Sequence, residues 1–280
     1  MINILFYGNC QPFELLKTLN LCKDSYSTTY ISCDTTNISE SDFLNYIVNS
    51  NIIITQPIND YYKEKCYLGT SFIIKNAKPT TKIILFDSCY FNFYYFDLTY
   101  KSIDNILIRT PSDYHYNNMI ECFKNNIDAN TYIENYVNNP NLKTSEELDV
   151  IANGSLHELY TRSLNIQKKY SADNVFIISI HDFVKTNYKD KLLFYSMNHP
   201  TKLVCHYISE QIINYLNISN TINYNYDAFF GFKAILYACI QQNVNFDISN
   251  HQPSVNTLND VNSITNLYYS AYTQLDSTKL

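Results

Sequence analysis

The chain has 280 residues, of which 46% are hydrophobic, so it can bury one sizeable core with an added helical region. Its formal net charge of −6 argues against nucleic acid as the main partner. The eight cysteines never fall as CxxC, and scattered thiols of this kind are typical of a reducing compartment. The sequence contains no run of 18 apolar residues and does not start with a leader pattern. We therefore expect a soluble, cytoplasmic protein with no membrane span.

The first dozen residues predict the first βα unit of an α/β protein. Ile4–Tyr7 is apolar or aromatic, Gly8 follows it, and Pro12 precedes an amphipathic stretch. This order is typical of a buried strand, a glycine turn and a helix that begins at proline. Ligands bind beyond the carboxyl ends of parallel strands, so the turn at 8–11 is expected at a binding site. Cys10 would lie at the positive start of the helix, which favours a thiolate nucleophile; the alternative is a small buried hydrophobe.

The following segments continue the alternation of strands and helices. Strands are predicted at Thr28–Cys33, Ile52–Thr55 and Lys82–Phe86, with helices from Ser39 and over Tyr61–Asn76. This order predicts a parallel sheet with flanking helices and right-handed crossovers.

The pattern changes after the fourth strand. The aromatic segment Cys89–Tyr100 is expected to be a core loop or an edge strand, and the alternative is a platform for a ligand. Helical periodicity is expected over Tyr114–Phe123, Ala129–Val137 and Ser145–Tyr170, and again over Thr201–Leu216. Between them, Lys191–Ser196 is apolar and is expected to return to the sheet.

These changes suggest three consecutive segments in one compact unit. An α/β core with the nucleophile turn is expected at 1–110. A helical region is expected at 111–246, and it returns to the core with the turn Asn198-His199-Pro200. Residues 247–280 are expected to be a polar C-terminal segment or linker.

Two of the six histidines lie at predicted element boundaries, where a side chain is well placed for acid–base chemistry. His115 follows Ser112-Asp-Tyr at a predicted helix start, and His199 lies in Asn198-His-Pro-Thr before a long helix. The alternative for each is a structural or solvated imidazole. The sequence contains neither of the common nucleotide motifs GxGxxG and GxxxxGK[ST], and it lacks the zinc motif HExxH; we expect no metal.

Five short motifs occur in a fixed order: GNCQ at 8–11, ITQPI at 54–58, DLTY at 97–100, Asp113-Tyr-His, and Asn198-His-Pro-Thr. Together they resemble the WcbI family of polysaccharide-biosynthesis proteins over roughly residues 1–220. The resemblance implies a coenzyme A-binding protein with an SGNH-hydrolase-like or flavodoxin-like three-layer core, associated with acetylation of capsule or other surface glycans. By position, Cys10 takes the place of the nucleophilic serine of SGNH enzymes. The chain departs from the family at Asn92, where a glycine usually follows the phenylalanine.

The function implied is an acetyl-CoA-dependent acetyltransferase acting on a sugar or amino sugar. Its acceptor would be a small-molecule or nucleotide-linked sugar, or a glycan, and acetyl-CoA would be the co-substrate. Cys10 would be the nucleophile or an oxyanion partner, and His199 or His115 the general base. Arg162 and Lys202 are the candidates to bind the phosphates of coenzyme A; the alternative for each is a solvated surface charge. The residues expected to bind the oxyanion or the substrate are Gly8, Asn9, Gln11, Gln56, Asp113 and Asn198.

Strands 1 and 3 are neighbours in this type of sheet, so Gln56 is expected to face the Cys10 turn. Two other functions stay open. One is a glycan deacetylase or esterase of the SGNH type, in which water is the acceptor. The other is a non-catalytic module that binds coenzyme A or a glycan.

Overall fold

The computed structural model describes residues 1–218, 222–227 and 231–275. The strands in chain order are β1 (Ile2–Gly8), β2 (Tyr26–Ser32), β3 (Ile52–Thr55), β4 (Lys82–Phe86), β5 (Leu98–Thr99), β6 (Ser102–Ile103), β7 (Ile106–Leu107), β8 (His115–Tyr116), β9 (Val175–Ile178), β10 (Phe194–Ser196) and β11 (His199–Pro200). The α-helices are α1 (Cys10–Thr18), α2 (Glu40–Asn49), α3 (Thr70–Asn76), α4 (Asn117–Lys124), α5 (Ala129–Tyr132), α6 (Ser145–Lys169), α7 (His181–Asn187), α8 (Lys202–Leu216) and α9 (Val261–Tyr272). A π-helical turn spans Ile133–Val137, and 3-10 turns span Tyr62–Glu64, Cys66–Leu68, Phe93–Tyr95, Ala238–Asn243 and Ile248–Asn250.

The chain forms two compact units that interleave along the sequence. Unit 1 comprises Met1–Cys89, His157–Thr186 and Pro200–Ala228, and unit 2 comprises Tyr90–Leu156, Asn187–His199 and Phe229–Leu280. This division differs from the consecutive segments 1–110, 111–246 and 247–280, because β9 and α8 belong with the first four strands.

Unit 1 contains a five-stranded sheet in the order β2-β1-β3-β4-β9, and all its strand pairs are parallel. This is the flavodoxin-like order of a doubly wound sheet, in which the topological switch point lies between β1 and β3. The predicted α/β fold is confirmed, and so is the pairing of strands 1 and 3.

The last strand of the sheet is not the one expected. Lys191–Ser196 was predicted to return to the sheet, but β9 fills that place, and β10 pairs with β11 in a separate two-stranded sheet. β9 is only 4 residues long and is mostly half-buried, so its hydrophobic pattern is weak.

The inner strands are apolar because helices cover both faces of the sheet. On one face, Leu5 and Ile53 pack with Phe43 and Ile47 of α2 and with Ile73 of α3. On the other face, α1 packs against β1 and α8. Helices therefore cover both faces of the sheet, and the turns after β1, β3 and β4 lie at its carboxyl edge.

Unit 2 has an aromatic core. Phe91 is fully buried and its ring centroid lies 5.5–5.9 Å from those of Phe93, Tyr94, Tyr188 and Phe194. The expectation that the segment 89–100 belongs to the core is confirmed for these rings, so they cannot serve as a platform for sugars.

Two helical predictions change in detail, and one further helix lies in a segment for which no helix was predicted. Only α3 forms a full helix within Tyr61–Asn76, because two 3-10 turns precede it. The predicted helix Tyr114–Phe123 begins at Asn117, because His115–Tyr116 pairs with β5. The polar C-terminal segment contains α9, in which Tyr268 and Tyr272 are fully buried.

Candidate functional site

The turn after β1 depends on a glycine. Gly8 has φ +144°, a conformation that L side chains rarely adopt. A Cβ atom at this position would lie 2.9 Å from Cγ of Pro12 and 3.0 Å from Cγ of Gln56. The residue that follows β3 therefore packs against the turn that follows β1, as the sequence predicts. This contact lies at the switch point of the sheet, where ligands bind in doubly wound folds.

Asn9 caps helix α1. Its Oδ1 accepts a hydrogen bond from the backbone N–H of Gln11 at 2.9 Å. Tyr30 of β2 donates its hydroxyl to the backbone carbonyl of Asn9 at 2.7 Å. Cys10 is the first helical residue and is exposed, so the predicted position of the cysteine at the helix start is confirmed.

The thiol of Cys10 is neutral at physiological pH. Its pKa is raised to about 11, mainly by loss of water to the surrounding protein and to a smaller extent by the carboxylates of Glu14 and Asp34. A backbone hydrogen bond of Cys10 itself lowers the pKa, but this effect is smaller than desolvation. The expectation of a thiolate is therefore wrong, because desolvation outweighs the favourable helix start.

Gln11 holds the loop that follows β4. It is 3% exposed; its Nε2 donates to the carbonyl of Cys89, and its Oε1 accepts from the N–H of Cys89, both at 3.1 Å. This two-way pairing imitates a strand pair. The carboxamide of Gln11 thus positions Cys89, a task that the sequence alone did not indicate.

Gln56 retains an unused polar group at the turn. It is 5% exposed, and within the described residues its Oε1 has no hydrogen-bond partner. A buried polar atom without a partner costs about 1–3 kcal/mol. The carboxamide is therefore a group that a ligand can satisfy.

In unit 2, His199 lies in an aromatic pocket. Its ring meets those of Tyr114 and Phe232 edge-on, with centroids 5.5 and 5.7 Å away. Burial lowers its pKa to about 4, so the imidazole is neutral at pH 7.

The contacts of Tyr114 assign the tautomer of His199. Tyr114 donates its single hydroxyl proton to Oδ1 of Asn198 at 2.6 Å. The contact of 3.2 Å between the same hydroxyl and Nε2 of His199 therefore requires Nε2–H to donate to the tyrosine oxygen. Nδ1 then carries the lone pair. Asn198 is itself oriented by a hydrogen bond of 2.9 Å from its Nδ2 to the hydroxyl of Tyr100.

His115 does not share this environment. It is fully buried, its Nδ1 lies 3.2 Å from the hydroxyl of Tyr272, and its Nε2 lies 3.2 Å from the carbonyl of Ile108. Burial lowers its pKa. Both ring nitrogens of His115 are therefore engaged inside unit 2, and His115 lies in β8, two residues before α4, instead of in the first turn of a helix as predicted.

The motif around His115 contributes a different residue from the two that were singled out. Asp113 forms an exposed ion pair with Arg109 at 3.0 Å, of a kind that contributes little. Tyr114, between Asp113 and His115, is the residue that contacts His199. The signal that could have identified it is its place inside the Asp113-Tyr-His motif, since no periodicity singles it out.

A cavity of about 290 Å³ lies in unit 1 beside the ends of β3 and β4. Its apolar wall includes Ile58, Ile166 and Tyr170, and its cations are Arg162 and Lys169. Both cations also have acidic neighbours, Glu158 for Arg162 and Asp60 for Lys169. A pocket with an apolar wall and basic groups suits a phosphate-bearing ligand.

Lys202, the other predicted phosphate-binding residue, is the first residue of α8. Its backbone N–H donates to Oδ1 of Asp227 at 3.3 Å, and its side chain is exposed. It is not among the residues that line the cavity at Arg162.

No metal site is evident in the part of the chain that the structure describes, since no three His, Cys, Asp or Glu side chains are grouped suitably there. Over the same residues, none of the helices combines the length and apolar character needed to cross a bilayer.

The sheet order and the Gly-Asn-Cys-Gln turn define an α/β protein whose candidate ligand site lies at the carboxyl edge of its sheet. The chain belongs to the WcbI family: the family model described as "Polysaccharide biosynthesis enzyme WcbI" matches residues 3–221. The resemblance seen in the motifs is thereby confirmed, and the family is one of polysaccharide biosynthesis enzymes.

A solved structure of WcbI, described as a novel polysaccharide biosynthesis enzyme, has the same fold. The TM-score is 0.84 at 18% identity, over 99% of this chain and 92% of that one. That structure is of the native protein without a disulfide bond between coenzyme A and one of its cysteines. No curated protein matches the chain.

Proposed function

We propose that this protein is an acetyl-CoA-dependent acetyltransferase that acts on a sugar or amino sugar in polysaccharide biosynthesis. The observation that carries the proposal is the turn at Gly8, which sets Cys10 at a helix start and packs against Gln56, whose Oε1 has no hydrogen-bond partner among the described residues. The family's role in polysaccharide biosynthesis supports a sugar acceptor. The link of the solved relative to coenzyme A and a cysteine supports coenzyme A as the acyl carrier.

The turn supplies donors for the charge that acyl transfer develops. When a thioester is attacked, negative charge builds on its carbonyl oxygen, and preorganised donors stabilise it. The unpartnered atom of Gln56 among the described residues is its amide oxygen, which accepts, so it suits an N–H or O–H group of the ligand and not the developing negative charge. The cap of α1 uses only the amide oxygen of Asn9, so its Nδ2 is a side-chain donor for that charge. The positive end of α1 adds to it.

We assign the general base to His199. Burial keeps the imidazole neutral, and the contact with Tyr114 leaves the lone pair on Nδ1. In the step, Nδ1 takes the proton of the acceptor hydroxyl or amine while the new bond to the acetyl carbon forms. The C–S bond of the thioester breaks, and coenzyme A leaves as a thiolate. Asn198 acts by orienting Tyr114.

The neutral thiol of Cys10 supports direct transfer over a covalent acetyl-cysteine. A thiol nucleophile acts as its thiolate, and a pKa of about 11 leaves little thiolate at pH 7. Moving acetyl from one thioester to another also gains little free energy. Cys10 therefore shapes the site around the reacting carbonyl.

Arg162 and Lys202 are assigned to the phosphates of coenzyme A. Arg162 lines a cavity with apolar walls in which an adenine ring or pantetheine chain can lie, and Lys169 adds a second cation there. Lys202 presents its exposed ammonium at the start of α8.

Ligand binding tests the proposal. Coenzyme A stabilises a folded state that binds it, so it should raise the melting temperature in a concentration-dependent way. Arg162→Ala and Lys202→Ala should reduce the shift, whereas Lys75→Ala, an exposed lysine of α3, should not. No shift at millimolar coenzyme A would contradict the proposal.

A further inference from the structure

Unit 2 contains a cavity of about 380 Å³, within the range of about 300–1,000 Å³ common for small-ligand sites. We call it the unit 2 pocket and define it by Tyr195, Lys233, Phe246, Asp247 and His251, which line it. Neither the acetyl transfer proposed above nor the WcbI motifs account for this cavity.

The walls of the unit 2 pocket are fixed by backbone hydrogen bonds. The N–H of Ala234 donates to the carbonyl of Tyr195 at 2.7 Å, and Nε2 of His251 lies 2.8 Å from the carbonyl of Ala234. Lys233 and Ser254 exchange two backbone hydrogen bonds of 2.8 Å. Three stretches of chain are therefore tied together, so a ligand meets walls that are already ordered.

His251 brings a hydrogen-bond acceptor to the pocket. A carbonyl oxygen only accepts, so Nε2 of His251 carries the proton and Nδ1 carries the lone pair. Burial lowers the pKa of this imidazole to about 4, which keeps it neutral. The described residues provide no hydrogen bond to Nδ1, so a hydroxyl group of a ligand can donate there.

The other polar groups supply donors. The Lys233 ammonium lies 4.9 Å above the ring of Tyr195, held by cation–π attraction. Nδ2 of Asn250 donates to Oδ2 of Asp247 at 3.2 Å, and the exposed carboxamide of Gln252 also lines the pocket. Amide, ammonium and imidazole groups together can both donate to and accept from hydroxyl groups.

The charge and the rings decide the class of ligand. Lys233 and Asp247 have opposite charges and His251 is neutral, so the pocket does not favour an anion such as phosphate. The half-buried ring of Phe246 offers a flat apolar surface, and the ring of Tyr195, one face of which Lys233 covers, adds a second apolar wall. We infer that the unit 2 pocket binds a neutral pyranose unit of a carbohydrate chain, through ring stacking and hydroxyl hydrogen bonds.

Ligand-observed NMR on the full chain tests this inference. Maltotriose, cellotriose and chitotriose are titrated at millimolar concentration and saturation transfer to each is measured. We expect transfer to at least one of them. Phe246→Leu, which keeps an apolar side chain but removes the ring, should weaken binding about three- to tenfold. Gln252→Ala should weaken it about two- to tenfold. Gln274→Ala, an exposed glutamine of unit 2 outside the pocket, should bind like the wild type.

Three outcomes would overturn the inference. They are the absence of transfer to any of the three sugars, equal affinity in the wild type and both pocket variants, and displacement of the sugar by inorganic phosphate. Thermal melts confirm folding; if Phe246→Leu does not fold, Gln252→Ala decides, because its side chain is exposed. The experiment measures sugar binding and not acetyl transfer, so the result of the experiment is independent of the proposed enzymatic activity.

Discussion

Nε2 of His199 lies 3.2 Å from the hydroxyl oxygen of Tyr114, and this contact sets which ring nitrogen carries the proton. The hydroxyl proton itself is directed to Asn198 at 2.6 Å. The proposed base, which accepts at Nδ1, therefore depends on Tyr114, the residue that directly follows Asp113 in the sequence.

Tyr114→Phe removes the group that holds the Nε2–H tautomer. We expect kcat to fall about tenfold, because part of the enzyme would then carry the proton on Nδ1, while the affinity for coenzyme A stays the same. Nitrogen-15 NMR of the His199 ring should show the change of tautomer. Tyr61→Phe, an exposed tyrosine of unit 1, is the control. Unchanged kcat with an unchanged ring signal would remove Tyr114 from the mechanism.

The pKa of Cys10 can be measured through its reaction with iodoacetamide. The alkylation rate of the Cys10 peptide, followed by mass spectrometry, should rise with pH towards a midpoint near 11, because desolvation stabilises the thiol. Glu14→Gln removes a nearby negative charge and should lower the midpoint, whereas Glu40→Gln on α2 should not. A midpoint below 8.5, the ordinary thiol value, would contradict the raised pKa and reopen the covalent route.

Gly8 and Gly154 make a matched pair for a stability test. Gly8→Ala forces a side chain into positive φ and against Pro12 and Gln56, so it should cost about 1–3 kcal/mol. Gly154 lies inside α6, where an added Cβ meets nothing within 4 Å, so Gly154→Ala should stabilise by about 0.5–1 kcal/mol. Urea unfolding measures both. Changes of the same sign would contradict the account of the turn.

The raised pKa of Asp97 makes a pH-dependent contribution to the free energy of unfolding. Burial raises its pKa from 3.8 to about 6, although hydrogen bonds from Tyr237 and Asn118 lower it. Between pH 3.8 and about 6, Asp97 is protonated in the folded state and mostly ionised in the unfolded state. Its contribution to the free energy of unfolding is therefore present at low pH and is lost as pH rises through about 6.

The variant Asp97→Asn should lack this pH-dependent contribution to the free energy of unfolding. The free energy of unfolding of the wild type relative to Asp97→Asn should fall by about 2–3 kcal/mol between pH 4 and pH 7. The comparison with the variant is needed because burial lowers the pKa of His199 and His251, which gives a slope of the opposite sign. Asp113→Asn, on the surface, is the control. A difference that does not change with pH would show that Asp97 is ionised throughout.

The sequence predicted the sheet well where strands are buried on both faces. Ile52–Thr55 is an unbroken β-branched run because β3 has a neighbour on each side and helices on both faces. β9 was missed because it pairs on only one side, and three of its four residues are half-buried. The Gly8 turn could be predicted because glycine, N-cap and helix start all lie within a few residues.

Other parts of the site depend on contacts that no local pattern contains. His115 is turned inwards because it lies in β8, where it pairs with Thr99 of β5. The raised pKa of Cys10 depends mainly on desolvation by the packed chain around it, with a smaller contribution from Asp34, which is distant in sequence. Helix α9 is hidden by Asn, Ser and Thr, yet Ile264, Tyr268 and Tyr272 recur every four residues behind the cap at Asp260, and this signal could have been recognised.

The fate of the acetyl group tests the central claim most directly. The protein is incubated with acetyl-CoA labelled in the acetyl group and with a panel of amino sugars and nucleotide-linked sugars, and the label is located by mass spectrometry after a rapid quench. The account predicts label on a sugar, formed with CoA release and at least 100-fold slower in His199→Ala, as expected for loss of a general base. It also predicts no label on Cys10. The rate of transfer to the sugar should fall in Cys10→Ala but not in Cys22→Ala, an exposed cysteine that serves as the control. Label that appears only as free acetate would show a hydrolase, and acetyl-CoA left intact in the presence of every acceptor would contradict the acetyltransferase.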